Sequence, residues 1–176
     1  MDESLSNEQV DIAVLPAIES IDFVGLHKEF LTARLIGLTV FWTVLVIGGS
    51  LYFIFTPQEN LPLNRYLLIG FLLIFPILSI VLARVGFKRK GYAIREQDIS
   101  YKTGLFWRSL KVIPYNRIQH VEVQQGLIER SFELARISVF TAGGGGSDLT
   151  IPGLTHDEAL RLKSLIIDKT KGLTNE

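Results

Sequence analysis

Two mainly apolar runs without a charged residue lie in the first half of the chain. Residues 35–55 contain no charged residue over 21 positions, and residues 66–83 contain none over 18. At about 1.5 Å per residue, these runs would span about 31 Å and about 27 Å as helices, close to a hydrocarbon core of roughly 30 Å. Together with a mean hydropathy of +0.31, this pattern predicts a two-helix transmembrane hairpin over 35–83 and excludes a purely soluble protein.

From residue 86 onward the hydrophobic period changes to two, which is typical of strands. Six short segments separated by turn signals predict consecutive antiparallel strands at 92–96, 99–103, 107–113, 118–124, 137–142 and 149–151. Residues 126–135 are too many for a tight turn and predict a short helix or an irregular cover.

The chain closes with an amphipathic helix. Thr155 and Glu158 have the spacing of a capping box, which starts a helix by satisfying free backbone N–H groups. The predicted apolar face comprises Ala159, Leu162, Leu165 and Ile166. The second half is therefore predicted to be an antiparallel β-barrel or sandwich with a C-terminal helix.

This order of elements resembles the bacterial pleckstrin-homology (PH) family, formerly called the membrane-flanked domain of unknown function. The resemblance covers about residues 35–171, lies mainly in 92–123, 135–143 and 151–154, and includes the step I-P-Y-N-R-I-Q-H-V at 113–121. It resembles in particular the short YdbS-like members, which have two membrane helices followed by one PH-like domain. It implies a seven-strand barrel, so the strand missing from the pattern is expected within 104–113, divided at 105–107.

The basic residues predict the orientation in the membrane. The loop 56–65 has one basic residue, whereas the opposite flanks have seven: Lys28, Arg34, Arg84, Lys88, Arg89, Lys90 and Arg95. The positive-inside rule then puts both termini in the cytoplasm, in a multi-pass protein of the inner (cell) membrane.

Three parts follow from this division: a cytoplasmic segment 1–34, the hairpin 35–83 and a PH-like domain 84–176. The first part carries a net charge of −5 and the last +5. The pattern of 1–34 is equally compatible with one or two interfacial helices and with a partly ordered lead-in.

The sequence contains no recognisable catalytic motif. The absence of cysteine excludes a disulfide, a thiolate metal site and a cysteine nucleophile. His27, His120 and His156 fit no metal-ligand motif, and there is no G-x-S-x-G elbow. We therefore predict no catalytic, cofactor-binding or metal site, and a protein that is not an enzyme.

Two groups of residues are candidates for binding. Arg84, Lys88, Arg89 and Lys90 follow the second run and can contact anionic lipid headgroups, at about 1 kcal/mol each. The favoured account is that they only enforce topology, because the helix already anchors the chain. Trp107, Arg108 and Lys111 are a candidate partner surface, because aromatic residues and arginine are enriched at interfaces. The modest positive excess disfavours nucleic-acid binding.

These patterns predict a membrane-anchored, non-enzymatic interaction or scaffold module on the cytoplasmic face, within a membrane complex. Its expected partners are the lipid bilayer and a protein, either another membrane-flanked PH-like protein or a second copy of the chain. Two alternatives are a subunit of a membrane export, permeability or stress-resistance system, with Pro76 as a hinge, and a sensor of anionic lipid.

Overall fold

The computed structural model describes residues 21–55, 62–143 and 146–174. Four helices and seven strands follow one another within these ranges. They are β1 (Val24–Gly25), α1 (Lys28–Phe55), α2 (Pro62–Phe87), β2 (Gly91–Ile94), β3 (Asp98–Thr103), β4 (Ser109–Pro114), β5 (Ile118–Gln124), α3 (Leu127–Ser131), β6 (Leu134–Thr141), β7 (Leu149–Thr155) and α4 (His156–Thr174), with a 3₁₀ turn at Tyr115–Arg117 between β4 and β5.

Helices α1 and α2 form the predicted hairpin, and both are long and apolar enough to cross a membrane. Most of their large apolar side chains are exposed, as Phe55 and Ile77 illustrate. Aqueous solvent would disfavour so large an apolar surface, whereas lipid accommodates it. The helices pack closely where α1 has no side chain, since a Cβ on Gly49 would lie 3.0 Å from the Leu72 side chain.

Pro76 lies inside α2 without ending it. The Ser79 hydroxyl donates a hydrogen bond to the Pro76 carbonyl (2.8 Å), and Trp42 Nε1 of α1 donates to the Ser79 hydroxyl oxygen (2.9 Å). Neighbouring groups thus supply polar contacts beside the proline, as is usual in transmembrane helices. The hinge hypothesis for Pro76 stays a prediction.

The second half consists of two antiparallel sheets, in the orders β1-β2-β3-β4 and β5-β6-β7, and α4 packs against them. Side chains from both sheets and from one face of α4 form a single apolar core, and its fully buried members include Ile99, Tyr115, Ile137, Ile151 and Ile166. The fold is therefore a transmembrane hairpin followed by a PH-like β structure with a C-terminal helix, as predicted.

The seventh strand was expected in the wrong place. Residues 104–113 contain a loop and a single strand, β4, whereas the additional strand is β1, which precedes the hairpin. Val24 pairs with Tyr92 and Gly25 with Gly91 at the free edge of β2. A strand of two residues has no alternating pattern, so only this pairing reveals it.

The residues just before α1 and its first turn are also part of the PH-like core. Leu26 is buried within it, and Phe30 packs against it. The His27 amide donates a hydrogen bond to the Gly153 carbonyl of β7 (3.2 Å). The folded unit that contains residues 84–143 and 146–174 therefore also includes residues 24–30, while residues 1–20 of the predicted N-terminal segment lie outside the described part.

The capping box of α4 is confirmed. The Thr155 amide donates to Glu158 Oε2 (3.0 Å), and the Glu158 amide donates to the Thr155 hydroxyl (3.2 Å). Ala159, Leu162 and Ile166 are buried as predicted, but Leu165 is 39% exposed. Its place on the apolar face was wrong, because the sheets cover a narrower stripe of the helix than the sequence pattern marks.

Candidate membrane-proximal site

Strand direction gives the PH-like domain two distinct ends. Strand β2 begins at Gly91, just after α2 ends at Phe87, and the strands then alternate in direction. We call the end beside the hairpin the proximal end; it carries residues 88–90, 104–108 and 125–133. We call the opposite end, with residues 95–97 and 115–117, the distal end. Anything on the proximal end lies close to the point where the helices leave the membrane.

A cavity of about 540 Å³ at the proximal end is surrounded by positive charge. Its wall includes Lys88 and Arg89 from the segment after α2, Lys102 from β3 and Arg108 from the loop before β4. Phe23 completes the wall and lies under the Lys102 ammonium, 4.2 Å from nitrogen to ring centroid. No acidic side chain lines this cavity within the described residues. The arrangement suits an anionic group such as phosphate.

The four predicted lipid contacts do not share one environment. Lys88 and Arg89 line this basic cavity, and Arg84 is exposed on the last turn of α2. Lys90 points elsewhere, with its ammonium 5.6 Å from the centre of the Phe30 ring. Burial lowers the pKa of Lys90, and the nearby Arg34 guanidinium lowers it further.

The three residues predicted as a partner surface are also separated. Trp107 and Arg108 lie in the proximal loop between β3 and β4, where Trp107 is 87% exposed. Lys111 lies within β4, and its Nζ donates a hydrogen bond to the Asp148 carbonyl (2.7 Å), near the start of β7. Trp107 and Arg108 therefore belong to the proximal end, whereas Lys111 holds a neighbouring loop.

The pairing of β3 with β4 brings Lys102 and Arg108 to the basic cavity. The sequence alone did not connect these two residues to Lys88 and Arg89. Thr103 pairs with Ser109, so Lys102 and Arg108 stand at the same end of the β3–β4 hairpin. The Arg89 guanidinium then joins this hairpin to α2 by donating to the Leu105 carbonyl (3.1 Å). The positive charge of the segment after α2 was the sequence signal for this cavity, and it identifies only Lys88 and Arg89 among the four basic residues.

The polar contacts of His27 are structural in character. Its Nε2 lies 2.7 Å from Glu158 Oε2 and thus connects the residue before α1 to the first turn of α4. Burial acts to raise the pKa of Glu158, but hydrogen bonds from Thr155 and His27 outweigh it, so the pKa lies below its ordinary value. In the described ranges no three His, Asp or Glu side chains converge as metal ligands.

Comparison with known proteins agrees with this architecture. The model of a family described as bacterial PH domain matches residues 11–170. The chain is 25% identical over 134 residues to the UPF0699 transmembrane protein YdbT of Bacillus subtilis (strain 168), covering 74% of this chain and 27% of YdbT. It is 31% identical over 86 residues to the UPF0699 transmembrane protein YdbS of the same organism, covering 49% of this chain and 52% of YdbS.

The chain thus spans about half the length of one of these relatives and about a quarter of the other. No solved structure matches it. Because the family match extends over most of the sequence and the fold has the corresponding elements, this chain belongs to the bacterial PH domain family.

Proposed function

We propose that the chain is a non-enzymatic interaction and scaffold module, multi-pass in the inner membrane, with both termini and the PH-like domain on the cytoplasmic face. The observation that carries the proposal is the core shared by hairpin and domain. Leu26 and Phe30 pack into the PH-like core from the N-terminal side of α1, while β2 follows α2 after a short connection. Two attachments prevent the domain from turning freely, so it presents a fixed surface to a partner in the same membrane complex.

The distal end is the surface that this geometry turns away from the hairpin. An open groove of about 840 Å³ runs along α4 and reaches this end at Glu96, in the turn after β2. Leu160 and Leu165 of α4 are partly exposed in its wall, beside charged groups of both signs: Glu96, Arg161, Asp168 and Lys169. An apolar centre with a charged rim is the usual composition of a protein interface. Our proposed occupant is another membrane-flanked PH-like protein.

Site-specific photocrosslinking tests this assignment, because a chain without cysteine accepts a single reporter thiol cleanly. Ser164→Cys puts a benzophenone maleimide in the groove, and Asn116→Cys puts it on the distal end outside the groove. In native membranes we expect Ser164→Cys alone to yield a discrete adduct, identified by mass spectrometry as a PH-like membrane protein. Equal adducts from both positions, or none from Ser164→Cys, would contradict docking at the groove; an adduct with a second copy would replace the proposed partner by a homo-oligomer.

The basic cavity supports a second candidate function, the sensing of anionic lipid. Lys102 and Arg108 extend the positive surface beyond the basic residues that directly flank the apolar runs, because Lys102 lies on β3 and Arg108 in the loop before β4. At about 1 kcal/mol per charge, losing both would lower affinity for an anionic lipid by about 2 kcal/mol, or roughly thirtyfold.

Native mass spectrometry of the purified full chain measures this effect with added phosphatidylglycerol or phosphatidylcholine. We expect Lys102→Gln with Arg108→Gln to reduce retention of phosphatidylglycerol only. The matched control removes two charges from α4, by Lys163→Gln with Lys171→Gln, and should change nothing. An equal loss in both double variants would assign the binding to net charge and reject the cavity.

A further inference from the structure

Two proximal segments present large apolar side chains that the domain core does not use. Phe106 and Trp107, in the loop between β3 and β4, are 75% and 87% exposed, and Leu127 at the start of α3 is 92% exposed. The neighbouring Ile128 is also exposed. Four exposed apolar side chains at one end of a domain mark a surface that contacts a membrane or another protein.

The first segment lies level with the beginning of the membrane-spanning helices. Leu105 and Phe106 share a cavity with Leu38 of α1 and with Ser79 and Leu82 of α2. Leu38 is four residues beyond Arg34, the last charged residue of α1, which corresponds to about 6 Å along the helix. The loop therefore reaches the depth at which the hairpin becomes entirely uncharged.

The second segment reaches the same depth on another side of the hairpin. Leu127 and Ile128 share a cavity with Gly37 and Leu38, and Ile128 Cδ1 lies 3.7 Å from the Cβ position of Gly37. Leu38 of α1 is thus bordered by α3 in one cavity and by the β3–β4 loop in another. Since α1 and α2 are long and apolar enough to cross a membrane, both segments stand beside the part of the hairpin where its charge-free stretch begins.

Both segments are held in shape by their own contacts. A Cβ on Gly104 would overlap the Trp107 carbonyl, and its φ of +127° is one that glycine adopts readily, so the tight loop depends on this residue. At α3, Glu129 Oε2 accepts hydrogen bonds from the Gly126 amide (2.7 Å) and from Arg136 Nη2 (2.8 Å). The apolar side chains are therefore presented on a preformed frame.

From these observations we propose that the PH-like domain embeds its β3–β4 loop and α3 in the interfacial region of the bilayer that its own hairpin crosses. Phe106, Trp107, Leu127 and Ile128 enter the boundary between headgroups and acyl chains. Arg89 and Arg108 stay at headgroup level, where long basic side chains keep their charge in water. Tryptophan is enriched at this depth because its ring is amphipathic. The partner of this surface is lipid, which makes the inference independent of the partner proposed for the distal groove.

The two tryptophans of the chain, Trp42 and Trp107, make the depth measurable in the full-length protein. In liposomes, the Trp42→Phe variant leaves Trp107 as the single tryptophan, which is excited selectively over the tyrosines. We expect blue-shifted emission, strong quenching by lipids brominated near the glycerol end of the acyl chain, and weak quenching by aqueous iodide. The Trp107→Phe variant reports Trp42, which lies about 12 Å beyond Arg34 along α1 and should respond most to lipids brominated deeper in the chain.

Matched controls use the double variant Trp42→Phe with Trp107→Phe. A tryptophan added at Leu127 should behave like Trp107, and one added at Gln97 on the distal end should be quenched by iodide only. Emission of Trp107 typical of water, with quenching by iodide and not by brominated lipid, would overturn the proposal. Protection of Trp107 from both quenchers would also overturn it, since a protein surface would then cover the loop.

A second readout avoids changing Trp42, which hydrogen-bonds to Ser79. Trp107→Cys carrying a nitroxide spin label should collide more with oxygen than with a water-soluble nickel complex. The reverse preference contradicts insertion of the loop.

Discussion

A single substitution at Gly153 should disrupt the core that hairpin and domain share. Its φ is +68°, and a Cβ there would lie 2.6 Å from Phe30 Cγ and 2.7 Å from Phe30 Cβ. The left-handed conformation costs a non-glycine residue roughly 1–2 kcal/mol. Overpacking against Phe30 adds about 1–3 kcal/mol. We therefore expect Gly153→Ala to destabilise the cytoplasmic domain by about 2–5 kcal/mol.

A double-mutant cycle separates the two contributions. Phe30→Gly removes both clashing atoms, so Gly153→Ala should cost only about 1–2 kcal/mol in that background. Gly143→Ala is a matched control, since Gly143 has a φ of +91° and an added Cβ there meets nothing within 4 Å. The assay is pulse proteolysis in urea on the full chain in detergent, which gives the unfolding midpoint of the domain. An equal cost of Gly153→Ala in both backgrounds would refute the packing of α1 into the PH-like core.

Three further predictions concern α4, the hairpin and the loop before β7. Hydrogen bonding lowers the pKa of Glu158 despite its burial, so the ionised carboxylate stabilises the folded domain fully above the ordinary pKa of 4.5, and this stabilisation is lost as pH falls through the lowered pKa. Glu158→Gln should therefore lose less stability on acidification than the parent chain. Equal acid sensitivity of the two chains would contradict this. Gly49→Val should weaken helix packing and lower the detergent melting temperature, whereas Gly48→Val, with open space around it, should not; equal effects would contradict the packing. Hydrogen bonds from Thr141 lower the pKa of Asp148, so Asp148→Asn should speed proteolytic cleavage in 142–148, and unchanged cleavage would show that this carboxylate does not hold the loop.

The hairpin and most strands are predictable because each is marked by a local pattern. Charge-free runs identify α1 and α2, and alternation identifies the strands after Gly91. Both helices extend beyond the apolar runs: α1 begins earlier, at Lys28, and α2 ends later, at Phe87. The end of a hydrophobic run therefore does not mark the end of a helix.

The features that the sequence did not reveal depend on pairing between distant residues. Strand β1 is defined by its partner Tyr92, which follows only after the whole hairpin. The segment 105–107 was expected to divide a missing strand within 104–113, yet it is a loop in which Phe106 and Trp107 are exposed, and Leu105 and Phe106 lie beside the membrane helices. Likewise, Lys102 and Arg108 join Lys88 only through the register of β3 and β4. Such placements require knowledge of which elements touch.

The central claim is that the hairpin holds the PH-like domain on the cytoplasmic side, and thiol accessibility tests it most directly. In the cysteine-free chain, Gln58→Cys marks the loop between the membrane helices, and Asn116→Cys marks the distal end of the domain. An impermeant maleimide added to spheroplasts should label Gln58→Cys at once and Asn116→Cys only after the membrane is opened. Labelling of Asn116→Cys in sealed spheroplasts, with Gln58→Cys protected, would contradict the account.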